Sequence, residues 1–411
     1  MRPGPTNSLA DVAGLRIGHA HRVGDGYRTG TTVVLAPAGG AVAGVDVRGA
    51  APGTRETELL DPRNLVERVH AIVLSGGSAF GLSAACGVMD RLADAGIGYP
   101  VAGGTVPIVP AAVIFDLGRG GTFRAVPDAP FGAVAYQAAS AVPNPDSPQG
   151  TSARGGGAVP RQGDGAAFPS GQASAPVASG STLTPDSPRV TSAVDGGVMT
   201  ADAVWRPGPS SRGAFGTASA TASGSVGAGT GAVAGGLAGG VGTASVVLPD
   251  GTTVAALAVV NAAGSVLDPL DATLAGARYG LPGEFDHLRP PTPEEARAWN
   301  PEKGPSFNTT IGVVATDLAL TKAQCGKLAA VAHDGLARAI RPAHTMTDGD
   351  TVFALATCAR PAPDHDTFQD VLATAADAFS RAVAHAVLAA TGREDAPAYL
   401  DVFPSAVRKE T

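Results

Sequence analysis

Phe307-Asn308-Thr309-Thr310-Ile311-Gly312-Val313-Val314-Ala315-Thr316 follows a polar, Pro-rich linker (281–307) and opens a run of β-branched residues. Such a run fits a buried strand, so the stretch predicts a strand that enters the core directly behind Thr309. A threonine hydroxyl is a weak nucleophile until a base stands beside it. The residue's own α-amino group is one such base, and it exists only once the Asn308–Thr309 peptide is cut. With an ordinary pKa of about 7.7–8.0, that amine can take the hydroxyl proton near neutral pH without a histidine. The same hydroxyl can first attack the Asn308 carbonyl and form an ester that water opens. One residue would then serve self-cleavage and turnover alike. The plainer alternative is that Thr309 and Thr310 merely begin a strand.

Composition points to a soluble globular enzyme. The 411 residues are 44% hydrophobic and 16% charged, enough to bury one large core or two ordinary ones. Aromatics are only 5% against 56 glycines and 33 prolines, so close backbone packing and turns must replace bulky side chains. A formal charge of -7 leaves no basic footprint for nucleic acid. The first residues lack the apolar core of a secretory signal, and no run reads as long and apolar enough to cross a bilayer. Cys86, Cys325 and Cys358 are scattered without metal spacing, as expected of reduced thiols in a cytoplasm. The eight histidines form no zinc pattern. His19 and His21 would share one strand face, but two ligands are too few.

Residues 1 to about 130 alternate short apolar strands, such as 31–35 and 71–74, with a helix near Ser78 to Ala95. From about Val142 to Arg212 the chain turns to Pro, Gly, Ser and Ala, the composition of a loosely ordered insert. Inside it Pro-Asp-Ser-Pro at 145–148 returns at 185–188, and Thr-Ser-Ala at 151–153 returns at 191–193, a short internal duplication. Two apolar runs around Pro249-Asp250-Gly251 predict a β-hairpin ending near Asn261. Beyond Thr309, Thr321-Lys322-Ala323-Gln324 is a capping box for a helix to about Ile340. A strand at 351–357 and a second helix stopping at Gly392 follow. The C-terminal piece therefore reads strand, helix, strand, helix. Its strands need partners in the larger piece, so the fragments should stay together after a cut.

Four segments then become specific: Val73 to Leu82, Val106 to Asp116, Gly227-Ala228-Gly229-Thr230-Gly231, and Asn308 to Asp317. In this order they resemble the L-aminopeptidase/D-esterase family of self-processing N-terminal nucleophile hydrolases. That family includes the β-peptidyl aminopeptidases and shares a fold with ornithine acetyltransferase. The resemblance implies an αββα sandwich, self-cleavage into a large chain (1–308) and a small chain (309–411), no cofactor, and tetramers of paired chains. Best-known members place serine at the new N-terminus. Here Thr309 follows Asn308, a substitution consistent with the threonine nucleophile of the acetyltransferase relatives.

Further roles follow from the resemblance. Asn261 matches an asparagine whose amide donates to the oxyanion, although an asparagine there also suits a plain strand-ending turn. The family's hydroxyl, Gly, Glu triplet corresponds to Asp348-Gly349-Asp350, with Thr347 one position earlier as a possible source of the hydroxyl. Acids here would hold the Thr309 ammonium; a polar turn is the alternative. Asp116 is a candidate for pairing a substrate ammonium, or equally a buried Asp bonded to turn amides. Ser75-Gly76-Gly77-Ser78 lacks the Walker lysine, and Ser78 reads better as a helix N-cap than as a phosphate loop. Arg48, Arg55, Glu56 and Glu58 read as surface or subunit-contact pairs. The expected activity is hydrolysis of short peptides, amino acid amides or esters through acyl-Thr309. Acyl transfer of the ornithine acetyltransferase type and an unprocessed, non-catalytic assembly protein are the alternatives.

Overall fold

The computed structural model describes residues 1–141, 215–301 and 307–408. The insert expected at 142–212, with its repeated motifs, lies outside the described residues. In chain order the main elements are β1 (Arg16–Gly24), β2 (Tyr27–Leu35), β3 (Ala41–Val47), β4 (Ala71–Ser75), α1 (Ala84–Asp94), β5 (Ala111–Val113) and α2 (Ala129–Ser140). They continue with β6 (Gly240–Val247), β7 (Thr253–Val260), β8 (Ile311–Leu318), α3 (Lys322–Ala339), β9 (Thr351–Arg360) and α4 (His365–Leu388). One six-stranded sheet runs Gly216–Ala218, β1, β2, β4, β5, Thr54–Arg55; the other runs β6, β7, β8, β9, β3, Arg68–Val69.

Period-two alternation sorts the side chains into layers. Along β4, Ile72 and Leu74 face the second sheet, where Leu257, Val259, Ile311, Val313 and Phe353 complete a core between the sheets. Ala71 and Val73 face the other way, onto Ala84, Val88 and Leu92 of α1 with Ala135 and Ala139 of α2. On the far side of the second sheet, Val254, Ala256, Val314 and Val352 pack under Leu328 and Leu336 of α3 and Phe379 and Val383 of α4. The order helix, sheet, sheet, helix is the expected αββα sandwich. Paired glycines tighten its outer layer: a Cβ at Gly87 would collide with the Ala129 carbonyl, and one at Gly132 with the Ala84 carbonyl. The two helix backbones therefore touch, which is how a chain poor in aromatics fills this space.

The hairpin forms as read, with Val247 opposite Thr253. The capping box is also realised: Thr321 Oγ1 accepts from Gln324 N at 3.2 Å, and Gln324 Oε1 accepts from Thr321 N at 2.9 Å. β8 runs antiparallel to β7 and parallel to β9, and β9 pairs with β3, so both C-terminal strands find partners upstream of residue 309.

Several readings of the sequence need correction. The helix read from Ser78 begins instead as a 3-10 turn (Ser78–Ser83), entered through Ser78 at a positive φ of 52°, and becomes α-helical only at Ala84 in α1. Ser78 is consequently not an N-cap; Gly77 occupies that position, with no side-chain cap. α2 was not foreseen, and it starts with Pro130 in its first turn. The last long helix ends at Leu388, short of Gly392. Among the described residues this helix, α4, is long and apolar enough to cross a membrane, contrary to the reading of the sequence, but it is mostly buried as a core helix of the sandwich.

α4 also carries a buried ionic cluster. Arg381, fully buried, donates to both oxygens of Glu284 at 2.6 and 2.8 Å, to Asn7 Oδ1 at 2.8 Å and to Ser245 O at 3.2 Å. His385 Nε2 lies 2.7 Å from Glu284 Oε1. Burial opposes ionisation of Glu284, yet His385 and Arg381 hold its carboxyl well below the usual range. The cluster joins the N-terminal arm and the linker to α4 on the other side of the Asn308–Thr309 bond.

Candidate active site

β8 is central in its sheet, and the residues just before it continue the pairing. Asn308 bridges to Asp348 in parallel register. Asn308 N donates to Thr347 O at 3.3 Å, Gly349 N to Asn308 O at 3.3 Å, and Thr351 N to Thr310 O at 3.2 Å. On the opposite side Thr309 N donates to Asn261 O at 2.6 Å. The Asn308–Thr309 peptide is thus clamped between the end of β7 and the start of β9. Thr309, only 6% exposed, turns its hydroxyl back on the preceding carbonyl, with Oγ1 2.6 Å from Asn308 O. That carbonyl accepts from both the hydroxyl and the Gly349 N–H, which polarises it. Gly349 is needed for the fit, since a Cβ there would approach Ala51 O to 2.6 Å and Thr309 Oγ1 to 3.0 Å.

Thr309 and Thr347 line a cavity of about 280 Å³ whose other walls include Pro52, Val113, Ile114, Phe115 and Phe307. The rings of Phe115 and Phe307 meet at 5.6 Å. Among the described residues no charged side chain lines it.

The acids lie behind these walls. Asp350 Oδ1 accepts from Thr310 N at 2.7 Å, while Oδ2 accepts from His344 N at 3.1 Å and His344 Nδ1 at 2.8 Å. Asp348 Oδ2 accepts from Thr345 N at 2.7 Å; its other oxygen is buried without a hydrogen-bond partner among the described residues. Burial, and then the nearby Asp350, push the Asp348 carboxyl up. The Thr347 hydroxyl is hydrogen-bonded to that of Thr345 at 3.2 Å. Both acids therefore stand beside the clamped peptide, with Asp350 engaged to the amide after Thr309 and to His344.

Asn261, at the end of β7 and fully buried, is held by more than a turn. Its Oδ1 accepts from Arg119 Nη1 at 2.7 Å and Val233 N at 3.1 Å, and its Nδ2 donates to Phe115 O at 3.2 Å. Asp116 sits one residue beyond Phe115, 3% exposed. Its Oδ1 accepts from Gly77 N at 2.6 Å. Burial pushes this carboxyl up to about 6, against the pull of the Thr29 hydroxyl, the Gly77 N–H and the Arg119 guanidinium. Arg119 is itself pressed down to about 10 by burial, with Asp116 opposing, and stays protonated at neutral pH.

Two residues at the site escaped the reading of the sequence. Arg119 lies three residues past Asp116, which falls beyond the end of β5 at Val113, in a turn marked by Gly118 and Gly121, both at positive φ. His344, also at positive φ, precedes the polar turn, and its ring packs edge-on to His333 at 4.9 Å. The phosphate-loop reading stays rejected on physical grounds. The N–H groups of Gly76, Gly77 and Ser78 are engaged by Gly30 O, Asp116 Oδ1 and Ile114 O, leaving none for an anion. Arg48 pairs with Asp46 and Asp334, and Arg55 with Glu56, outside the site.

The fold has known counterparts. A β-aminopeptidase of Burkholderia sp. superposes with a TM-score of 0.61 over 100% of this chain and 96% of its own, at 20% identity. The L-aminopeptidase D-Ala-esterase/amidase of Ochrobactrum anthropi, described as a variant of the Ntn hydrolase fold, superposes at 0.56 over 95% and 88%, at 18% identity. In sequence, an uncharacterized aminopeptidase of Mycobacterium leprae is 42% identical over 98% of this chain and 96% of its own. A 6-aminohexanoate-oligomer endohydrolase of Paenarthrobacter ureafaciens is 27% identical over 84% of this chain and 74% of its own. The sequence profile of peptidase family S58 matches residues 7–182 and 190–396. With the match running through both sheets and through the clamped Asn308–Thr309 peptide, the chain belongs to peptidase family S58.

Proposed function

We propose that this protein cleaves itself between Asn308 and Thr309 and then acts as an N-terminal-threonine aminopeptidase, amidase or esterase on short substrates with a free amino end. The observation that carries the reading is the Thr309 hydroxyl, 2.6 Å from the carbonyl oxygen of Asn308 within a clamped peptide. In maturation, Oγ1 bonds to the Asn308 carbonyl carbon, the C–N bond breaks, and the hydroxyl proton passes to the departing nitrogen. Water then opens the ester and leaves Thr309 with a free amine. In turnover that amine takes the Thr309 hydroxyl proton as Oγ1 attacks the substrate carbonyl. The leaving amine or alcohol departs with a proton, and water releases the acyl group.

In this reading Asn261 donates to the oxyanion, while Thr347, Asp348 and Asp350 orient Thr309 and its amine. The apolar cavity takes the acyl residue's side chain, and Asp116 holds its ammonium. The assembly is a tetramer of paired chains in the cytoplasm, which rests on the family resemblance and the scattered cysteines. Quenched reactions with L-leucine p-nitroanilide test the chemistry. An acyl adduct on the chain that begins at Thr309 supports it, and turnover without any adduct contradicts it. Adding ornithine separates transfer from hydrolysis: rate and product should stay unchanged.

The Asp116 assignment carries a pH dependence. A carboxyl raised to about 6 is neutral below that pH and cannot pair with an ammonium. For substrates with a free amine, kcat/KM should fall with unit slope below the pKa of the Thr309 amine and more steeply below about pH 6, where Asp116 also takes up a proton. Asp116→Asn should lower kcat/KM and remove the steeper part of that limb. An unchanged acid limb in the variant would take Asp116 out of substrate binding.

A further inference from the structure

We propose that Arg119 is a positioning residue for Asn261, fixing which end of the side-chain amide is turned toward Phe115 in the cavity wall. The inference rests on the reading of Asn261 as the oxyanion donor. An amide has a donor end and an acceptor end of nearly equal shape, so its direction is set by its neighbours. Two groups point at Asn261 Oδ1, Arg119 Nη1 at 2.7 Å and Val233 N at 3.1 Å. Both can only donate. Reversing the amide would set its N–H groups against these two donors and its oxygen against the Phe115 carbonyl, which Nδ2 now meets at 3.2 Å. The nitrogen is thereby held on the side of Phe115, which lines the same cavity as Thr309.

Arg119 does more than duplicate the Val233 amide. It carries a positive charge, and a charge-assisted bond to Oδ1 draws electron density from the amide and makes Nδ2 a stronger donor. It is also anchored. The same Nη1 donates to Gly231 O at 2.5 Å, and the Arg119 amide closes a turn onto Asp116 O at 3.3 Å. One guanidinium thus ties the Asp116 turn and the segment after Gly227 to the end of β7.

A double-mutant cycle on L-alanine p-nitroanilide hydrolysis tests this, with rates expressed per cleaved chain and melting temperatures recorded for every variant. Asn261→Ala should lower kcat by about 10²–10³-fold. Arg119→Ala should lower kcat by about 10–100-fold with KM changed less than about threefold, because the donor it orients acts on the transition state. The double variant should match Asn261→Ala within about threefold. Arg119→Lys should recover part of the loss. Repeating the cycle with Arg119→Gln, which keeps a donor and much of the volume, covers a failure of the alanine variant to fold. If the double variant loses the product of the two single effects, Arg119 acts elsewhere and the proposal is overturned. If Asn261→Ala loses kcat and the Arg119 variants do not, the proposal alone falls. If Asn261→Ala keeps full kcat, the oxyanion reading falls and takes the proposal with it.

Discussion

Thr309→Ala should yield a single uncut chain with no detectable amide hydrolysis. The substitution removes the hydroxyl that lies 2.6 Å from the Asn308 carbonyl oxygen and leaves the clamp of backbone bonds to Asn261, Thr347 and Gly349 in place. Folding should therefore survive while chemistry stops. Deleting a hydroxyl nucleophile has cost about 10⁶-fold in kcat in another hydrolase, and here the loss would be compounded because the catalytic amine never forms. Thr309→Ser keeps the hydroxyl and should still cut itself, at a cost of about 1 kcal/mol in stability for a lost buried methyl. Denaturing electrophoresis with a p-nitroanilide assay reads both variants. Hydrolysis by the uncut alanine variant would place the nucleophile elsewhere.

The second large effect is on stability. Arg381→Ala should cost about 3–5 kcal/mol, because it leaves the buried Glu284 carboxylate without its bidentate partner. Arg381→Met paired with Glu284→Gln should cost less, since no unpaired charge remains. The Glu284 carboxyl is held below its ordinary range in the folded protein, so its contribution is present above the unfolded pKa. It is lost only as pH falls through the depressed folded value. Urea unfolding at neutral pH measures the cost. In the cleaved protein the same variant should loosen the small chain, as Arg381 lies beyond the cut and Glu284 before it. A wild-type midpoint for Arg381→Ala would mean that solvent or rearranged neighbours compensate the exposed charge.

Much of the fold was legible because its signals are local. β-branched runs around Asp250-Gly251 gave a hairpin, and Thr321 with Gln324 gave a helix start, since a turn and a cap are each decided within a few residues. α2 was missed because Pro130 and an alanine-rich sequence leave little amphipathic pattern. What holds that helix is its contact through Gly132 with α1, which no window along the chain contains. The unhelical backbone of Ser78 has the same origin: its positive φ accompanies a bond from its N–H to Ile114 O, a tertiary contact.

At the site, Thr309, Asn261 and the Asp348–Asp350 turn stood out through the family's motifs, and the fold brings them to one peptide. Arg119 and His344 did not stand out. Each acts on a residue distant in sequence or through a turn of unusual backbone, and an isolated arginine or histidine has no spacing to betray it. Asp116 and Arg119 together show the limit most clearly. They stand three residues apart, but the link from Arg119 to Asn261 spans 142 residues of chain.

The central claim is self-cleavage at Asn308–Thr309. The most direct test is the intact mass of freshly purified protein under denaturing conditions, with N-terminal sequencing of any smaller chain. The account predicts two chains, the smaller beginning Thr309-Thr310-Ile311-Gly312. A single 411-residue species of 40.4 kDa that nevertheless hydrolyses an amino acid amide would contradict it.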